Sequence, residues 1–360
     1  MVTLHRQVAM AGIRTRPAAG QSPAEQASRP PAGVRSVPRF KDALEVISGK
    51  PDQEATGLAV FAVIRDEMFF LPAFLNHHRR LGVNQFLVLD DGSSDGSAAY
   101  IAAQGDCVLL RSPLSYAETV SSVDLAGRPM ERRACFFFKQ YIPELWLRGR
   151  MVLALDADEF LLLPPGIHDA DALLAAMHRH GVHTAGTSLL EFFPEQLSDL
   201  EHEREAASLE DLLAQAPCYD HAPLTRFRWR GGLAGIRPSA STRIFRGAGI
   251  AHPYTTTPFK VPLYRHHRNW IVGSHRTRRA PDRRLLLTLA HFKFTHDLFR
   301  RTEMAIALGS HSQGSLKYHC YGELFKRGRQ GHLSLADAST RNFTGTEALV
   351  EAGLMRWRLD

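Results

Sequence analysis

Apolar residues between positions 56 and 195 occur in short continuous runs separated by helical stripes, the pattern of a buried sheet with crossover helices. The first run, residues 57–64, is uninterrupted, as expected of a parallel strand that is covered on both faces. Similar patterns predict further strands at 85–89, 107–110, 151–155 and 184–190, and helices at 68–81, 97–104, 130–147 and 168–180. Because strands and helices alternate, we predict an α/β fold with a mostly parallel sheet flanked by helices.

The flanking regions are less regular. Residues 1–55 are predicted to form a disordered basic leader, because residues 1–40 contain six Arg, one Glu and five Pro without a sustained apolar period; a transit peptide is the alternative. After residue 195, an acidic helical stretch at 196–215 precedes irregular sequence, a buried strand at 285–294 and a helix at 296–308. We therefore expect a C-terminal α+β extension over 196–325 and a loosely packed tail at 326–360.

The composition excludes several classes of protein. With 360 residues and 44% hydrophobic content, the chain is long enough to bury a large core. Four Cys without a CxxC pair exclude a disulfide scaffold and a zinc ribbon. Because the sequence has neither a secretory signal nor an apolar run of the ~18 residues that span a membrane, we expect a cytoplasmic protein.

The net charge of +7 conceals two regions of opposite sign. Residues 41–224 hold 28 acidic and 14 basic residues, whereas residues 225–301 hold 17 basic and 2 acidic residues. A carboxylate-rich half suits metal binding, and a basic segment suits a phosphate or another anion. The alternative is that these charges are solvated on the surface, and only specific motifs can distinguish binding sites from such surface charge.

Acidic residues follow two of the predicted strands, at the edge of a parallel sheet where ligands bind. The first group is Asp90-Asp91-Gly92-Ser93-Ser94-Asp95. Its leading carboxylates can accept hydrogen bonds from a ribose hydroxyl or a base edge. Alternatively, the segment is a capped loop, because Asp, Ser and Gly are common capping and turn residues.

The second group is Asp156-Ala157-Asp158-Glu159, which lies between two apolar runs. Alternate residues of an extended segment face the same way, so Asp156 and Asp158 can present two carboxylates together. Carboxylate oxygens suit Mg²⁺ or Mn²⁺ and leave coordination positions for diphosphate oxygens. Burying this much negative charge without a cation is costly, which favours a metal site over a solvated loop.

Several strings occur in a characteristic order along the chain. They are Val63-Ile-Arg-Asp-Glu67, Phe74-Leu-Asn-His-His78-Arg-Arg-Leu-Gly-Val83, Leu89-Asp-Asp-Gly-Ser-Ser-Asp95, Leu155-Asp-Ala-Asp-Glu-Phe160 and His291-Phe-Lys-Phe294. Together they resemble family 2 glycosyltransferases over roughly residues 56–325. The chain departs from the family pattern at Asp66, where Asn is usual, and at His77, where an aromatic residue is usual.

The resemblance implies a GT-A fold, a Rossmann-like sheet that binds a nucleotide sugar, with the diphosphate held through Mn²⁺ or Mg²⁺. Residues 56–195 would form the nucleotide-sugar-binding half and residues 196–325 the acceptor part. The residues expected to contact the nucleotide sugar are Arg65, Glu67, Asp90, Asp91, Arg132, Asp156 and Lys260. The expected metal ligands are Asp156, Asp158 and His291, with His275 as the alternative to His291.

Two residues are expected to take part in catalysis. Asp158 would act at the diphosphate through the metal, and Glu191 would be the base that activates an acceptor hydroxyl. Glu191 follows the strand after the Asp-x-Asp pair and so reaches the same edge of the sheet. The alternative for Glu191 is a strand-terminal surface acid.

We therefore predict a metal-dependent glycosyltransferase that moves a sugar from a nucleoside-diphosphate sugar to a hydroxyl acceptor, with inversion implied by the family. The acceptor would be a glycan, a lipid or a polysaccharide precursor of the cell envelope. No nucleic acid is expected as a partner, and peripheral contact with the inner membrane is left open. The alternative is a non-catalytic protein on a degenerate GT-A scaffold, whose basic face at 225–301 binds nucleic acid or an anionic surface.

Overall fold

The structure is a computed structural model that describes residues 34–52, 56–221, 227–228, 233–234, 239–251, 258–267, 271–273, 276–277, 280–308, 312–329 and 331–359. The helices are α1 Leu71–Arg80, α2 Ser97–Ala102, α3 Ala134–Trp146, α4 Ala170–Arg179, α5 Leu209–Gln215, α6 Ala240–Gly247, α7 Leu298–Leu308, α8 Ser312–Gly328 and α9 Thr346–Glu351. The strands are β1 Arg35–Ser36, β2 Glu45–Ser48, β3 Leu58–Ile64, β4 Gln85–Asp90, β5 Cys107–Arg111, β6 Thr119–Val123, β7 Pro129–Arg133, β8 Met151–Leu155, β9 Glu159–Leu162, β10 Thr184–Phe193, β11 Cys218–Asp220, β12 Phe227–Arg228, β13 Leu233–Ala234, β14 Phe259–Arg265, β15 Ile271–Gly273, β16 Arg276–Thr277, β17 Leu285–His291, β18 Thr340–Asn342 and β19 Arg356–Trp357. Short 3-10 helices lie at Phe40–Ala43 and Leu197–Glu201.

A central sheet of mixed direction forms the middle layer. Its strands lie in the order β18-β11-β10-β14-β8-β3-β4-β5-β2, and β17 joins it by pairing with β10, β9 and β19. Strands β8, β3, β4 and β5 are parallel neighbours, and β17 is parallel to β10. Because β14 runs antiparallel between β8 and β10, the sheet is parallel in this part and mixed elsewhere. The arrangement is the expected Rossmann-like α/β architecture and is consistent with a GT-A fold.

Both faces of the parallel strands are buried, as their continuous apolar sequences require. In β3, Leu58 and Val60 pack into one hydrophobic cluster with α1 and α4, whereas Ala59 and Phe61 pack into a second cluster with α3. A third cluster joins helices α6, α7 and α8 around Tyr321. This third cluster places the C-terminal helices beside the carboxyl ends of the strands, where α7 and α8 contribute to the site described below.

Helix α1 begins and ends where its sequence dictates. Pro72 lies in the first turn, where its missing N–H costs no intrahelical hydrogen bond. Gly82 follows the helix with a φ of 92° and donates a hydrogen bond to the Arg79 carbonyl at 2.9 Å. On the buried face, His77 Nε2 lies 2.8 Å from the Leu161 carbonyl oxygen, and burial lowers the His77 pKa to about 4. The His77 imidazole is therefore a hydrogen-bonded core residue.

The predicted disordered leader over residues 1–55 is too long. Residues 34–52 belong to the fold, since β2 pairs with β5 and Phe40 is fully buried. The Phe40 ring centroid lies 5.0 Å from that of Phe137 and 5.4 Å from that of Phe138. The sequence pattern misses this segment because a single aromatic residue has no periodicity. Residues 1–33 of the predicted leader lie outside the described residues.

The prediction of a loosely packed tail at 326–360 is also wrong. Strand β18 pairs with β11, and β19 pairs with β17. Leu349 and Leu354 between these strands are fully buried. The pairing strands are only three and two residues long, which is too short for an alternating pattern to stand out from a loop.

The helix predicted at 130–147 begins later, at Ala134. Its first residues instead form β7, which pairs antiparallel with β6. Arg132 is therefore an exposed strand residue opposite Val120 and does not belong to a helix. Among the described residues, no helix combines the length and the apolar character needed to cross a bilayer.

We expect Phe40→Ala to lower the free energy of unfolding by about 3–5 kcal/mol, because the change empties an aromatic position in a closed core. Urea denaturation of the full chain measures this difference. Lys41→Ala, at the exposed neighbouring position, is the control and should change stability by less than about 0.5 kcal/mol. Equally small effects at both positions would mean that residues 34–52 do not pack on the core.

Candidate functional site

A cavity of about 290 Å³ lies at the carboxyl edge of the parallel strands. Strand β3 leads into Arg65 and Glu67, β4 into Asp91, and β8 into Asp156 and Asp158, and all five residues line this cavity. The ends of neighbouring parallel strands meet at one edge of a sheet, which is why residues so distant in sequence come together. Five of the predicted site residues therefore share one cavity.

The loop after β3 is held in place by the loop after β4. Asp66 has a φ of 54°, a left-handed conformation that Asp and Asn adopt more readily than most other residues. Its carboxylate accepts hydrogen bonds from the backbone N–H of Ser94 at 2.6 Å and from the Ser94 hydroxyl at 3.0 Å. Asp95 likewise accepts a hydrogen bond from the Met68 N–H at 2.9 Å. Ser94 and Asp95, at the end of the acidic group after β4, thus form a capped loop that positions the residues after β3.

Arg65, Asp91 and Tyr116 form one group of contacting residues in the cavity lining. Asp91 Oδ1 accepts a hydrogen bond from the Tyr116 N–H at 2.6 Å, and Asp91 Oδ2 lies 3.6 Å from Arg65 Nη1. Burial raises the pKa of Asp91, and the hydrogen bond and the guanidinium only partly offset this effect. The Lys139 ammonium lies 5.8 Å from the centroid of the Tyr116 ring. A carboxylate beside an aromatic ring suits a nucleoside, with hydroxyls for the carboxylate and a base for the ring.

A second group of cavity residues is centred on Asp158, which is 1% exposed. Asp158 Oδ2 accepts hydrogen bonds from Lys293 Nζ at 2.9 Å and from Arg301 Nη2 at 3.0 Å. Burial favours the neutral carboxyl, but Lys293, His291 and Arg301 outweigh it and hold the pKa of Asp158 well below its usual range. Arg301 also lies 3.7 Å from Glu67, so this guanidinium bridges two acids of the cavity.

Lys260 is a buried cation beneath the Asp-x-Asp segment. Its Nζ donates to Asp156 Oδ2 at 2.8 Å and also contacts Glu159 Oε1. The Glu159 side chain is fully buried, whereas that of Asp156 is 52% exposed. Burial disfavours the ammonium, but the two carboxylates reverse this and raise the pKa of Lys260. Lys260 is therefore a fixed positive charge between two acids.

A divalent cation fits the donor chemistry of this site. Asp158, Glu159 and His291 are buried, and their ligand atoms lie within 4.8 Å of one another. The set arises because His291 pairs with Glu159 across β17 and β9. His291 Nδ1 is buried without a hydrogen-bond partner among the described residues. Two carboxylates and an imidazole suit Mn²⁺. In this set Glu159 takes the role of metal ligand that the resemblance to family 2 glycosyltransferases assigns to Asp156.

Glu191 lies opposite His291 in the sheet. Like Glu159 and His291, Glu191 is not among the residues that line the cavity, whereas Asp158 is. The Glu191 carboxylate accepts hydrogen bonds from the Ser241 N–H at 2.7 Å and the Ser241 hydroxyl at 3.0 Å, in the first turn of α6. Lys317 Nζ lies 3.2 Å from Glu191 Oε1. Burial opposes ionisation, but Lys317, His291 and Ser241 together lower the pKa of Glu191 to about 2. A carboxylate held ionised in this way is a weak base at neutral pH.

Three other predicted residues do not line the cavity or cannot be placed. Asp90 is buried behind it, where Oδ1 accepts a hydrogen bond from the Ser93 N–H at 3.0 Å and Oδ2 lies 3.6 Å from Arg111. Arg132 lies in the separate three-stranded sheet β1-β6-β7. His275 lies outside the described residues.

Several cavity residues escape sequence reasoning. The C-terminal part contributes Lys293, Arg300, Arg301 and Tyr318, and the loop after β5 contributes Tyr116. The excess of basic residues over 225–301 indicates an anion site, but it does not distinguish these cations from solvated ones. The position of Lys293, two residues after His291 at the end of a buried strand, is the local signal that singles it out.

No protein-family model matches the chain, and a search of curated proteins also finds no match. Among solved structures, the crystal structure of S. aureus TarS shows 9% identity over 76% of this chain and 43% of that chain, with a TM-score of 0.30. UDP-glucose pyrophosphorylase complexed with UDP-glucose shows 8% identity over 83% of this chain and 97% of that chain, with a TM-score of 0.23. This chain therefore spans less than half the length of TarS, and likenesses at these scores carry no weight for its activity.

Burial raises the pKa of Glu67 to about 7, although Arg301 opposes the effect. Unfolded Glu67 loses its proton near pH 4.5 while the folded chain keeps it to about pH 7, so this group reduces stability as pH rises through that window. Relative to wild type, Glu67→Gln should therefore gain about 1–3 kcal/mol of stability between pH 4.5 and about pH 8. Urea denaturation at both pH values measures this, with the exposed Glu131→Gln as control. A difference that does not change with pH would contradict the raised pKa.

We expect Glu191→Gln to destabilise the fold at pH 7 by about 2–4 kcal/mol, because Lys317 loses its counter-charge and the amide is a weaker acceptor for Ser241. The pKa of Glu191 is lowered, so its contribution is present above pH 4.5 and declines as the pH falls towards 2. Urea denaturation over this pH range measures the effect. Glu195→Gln, at an exposed position after the same strand, should change stability by less than about 0.5 kcal/mol; equal effects would mean that Glu191 is not a structural carboxylate.

Proposed function

We propose that this chain transfers a sugar from a nucleoside-diphosphate sugar to a hydroxyl acceptor, with a divalent cation at the Asp-x-Asp segment and inversion at the anomeric carbon. The observation that carries the proposal is the convergence of Arg65, Glu67, Asp91, Asp156 and Asp158, from the ends of three parallel strands, on one cavity. Their order along the chain is that of the family 2 motifs, and their placement is that of a nucleotide site at a sheet edge.

The two groups of cavity residues suit different parts of such a donor. The Asp91 carboxylate can accept hydrogen bonds from the hydroxyls of the nucleoside, and the Tyr116 ring offers an aromatic surface to its base. Lys293 and Arg301 offer positive charge about the diphosphate. When the bond between the sugar and the diphosphate breaks, negative charge develops on the leaving oxygen, and preorganised cations stabilise that charge.

Asp158, Glu159 and His291 are the residues that would hold a divalent cation. When bound, such a cation supplies a Lewis acid for the diphosphate oxygens. The role of the protein is to keep these donors in place: Phe292 N–H donates to the Asp158 carbonyl at 2.9 Å, and β17 aligns His291 with Glu159.

The acceptor is proposed to be a glycan or lipid-linked hydroxyl, and the compartment to be the cytoplasm. Glu191 stays a prediction as the base that removes the hydroxyl proton. Its pKa of about 2 and its three hydrogen-bonding contacts favour a structural role, in which it fixes α6 and Lys317 beside the site.

The alternative of a basic-face binding protein has less support from the described residues. Lys260 and Lys293 point towards buried carboxylates, and Arg243 pairs with Asp220 at 2.9 Å. Cations that neutralise internal acids do not present their charge to a nucleic acid or a membrane. The proposed cavity function gives a reason for the pairs that Lys260 and Lys293 make with the acids of residues 156–159.

Thermal-shift binding of nucleoside diphosphates, with and without Mn²⁺, tests the proposed donor. A ligand at ~100 times its dissociation constant stabilises a protein by about 2.7 kcal/mol, a shift of a few degrees. We expect one nucleoside diphosphate to shift wild type in the presence of Mn²⁺ and Asp158→Asn to lose that shift. Asp282→Asn is the control, because Asp282 pairs with Arg284 away from the cavity. If no nucleoside diphosphate shifts wild type with any metal, the proposed donor is wrong.

A further inference from the structure

The acids of residues 156–159 already have cationic partners from the chain. Lys260 contacts Asp156 and Glu159, while Lys293 and Arg301 contact Asp158. The three carboxylates of this segment therefore face three cations, one of which, Arg301, also lies 3.7 Å from Glu67. Ligands that enter this site have to exchange these pairs.

Each ligand on its own disturbs the balance of charge around Asp158. A divalent cation at Asp158 would lie next to the Lys293 ammonium and the Arg301 guanidinium, which repel it. A diphosphate that draws Lys293 away would leave Asp158, 1% exposed, with less positive charge around it. An unpaired buried charge is costly, so neither ligand alone fits this site well.

The two cations at Asp158 differ in their freedom to move. The Arg301 guanidinium lies 5.3 Å from the centroid of the Phe70 ring and 3.7 Å from Glu67, so several contacts fix its position. Lys293 ends in a single ammonium on a flexible stem, its side chain is 18% exposed, and it lines the cavity. Lys293 is therefore the group that can change partner without disturbing the rest of the site.

We propose that Lys293 is a counter-ion switch: it neutralises Asp158 in the free protein and moves to a diphosphate oxygen when a nucleoside diphosphate and a divalent cation bind together. This inference rests on the proposed donor and adds a coupling to it. Lys293 competes with the cation for Asp158 and also holds the diphosphate, so the two ligands bind with positive cooperativity. By linkage, each ligand raises the affinity of the other by the same factor.

Mn²⁺ binding to the full chain, measured by electron paramagnetic resonance and calorimetry, tests the switch. In wild type, the nucleoside diphosphate that gives the thermal shift should raise the Mn²⁺ affinity about tenfold or more. Lys293→Met should change the two affinities in opposite directions. Mn²⁺ alone should bind about tenfold more tightly because its competitor is gone, and the nucleoside diphosphate should bind about tenfold more weakly.

Further variants separate the switch from a general effect of charge. Lys293→Arg keeps the positive charge and should retain the coupling, whereas Lys293→Gln removes the charge and serves as the test, with the same expected changes, if Lys293→Met does not fold. Lys326→Met removes an exposed lysine that lies off the cavity and should leave both affinities unchanged. If a nucleoside diphosphate binds but Mn²⁺ affinity is the same with and without it, the switch is wrong while the proposed donor stands. If no nucleoside diphosphate binds at all, both proposals are overturned.

Discussion

The ion pairing of one buried carboxylate, Asp158, with Lys293 and Arg301 is the interaction on which the arrangement of the site depends. Asp158 comes from the loop after β8, whereas its partners come from the end of β17 and the first turn of α7. A carboxylate this deeply buried has to be paired, so the C-terminal segment must pack against the parallel strands for either part to be stable. The nucleotide-binding half and the C-terminal extension expected from sequence therefore share a cavity and its charges.

The parts of the fold that can be predicted from the sequence are the strands and helices whose own residues show a clear apolar pattern. Residues 57–64 predict β3 because both faces of that strand are buried, and the acids after β4 and β8 lie at the carboxyl edge because the strands are parallel. Asp66 illustrates a departure that changes little in the backbone: the position needs a left-handed conformation, which Asp and Asn both tolerate.

The parts that cannot be predicted in this way depend on pairing between distant segments. Glu159 lies within reach of His291 and Asp158 because β9 is antiparallel to β17 in the register that puts Glu159 opposite His291. The same strand, in parallel register with β10, puts His291 opposite Glu191. No local pattern specifies which strands become neighbours, so the sequence pattern points to the alternating pair Asp156 and Asp158 and does not point to Glu159. The sequence pattern does not reveal Phe40 for the same reason: its packing partners, Phe137 and Phe138, are almost a hundred positions away in the chain.

The pairing of buried acids with cations has a consequence for how such a site evolves and works. A cluster of acids alone would need a cation to fold, because unpaired buried carboxylates are costly. Lys260, Lys293 and Arg301 supply these acids with positive partners from the chain itself. The same cations are then the groups that a bound ligand must displace or share, so part of the binding energy is spent on breaking pairs that stabilise the free protein. A donor that brings both negative and positive charge, such as a nucleoside diphosphate with a divalent cation, avoids this loss because it replaces each pair that it breaks.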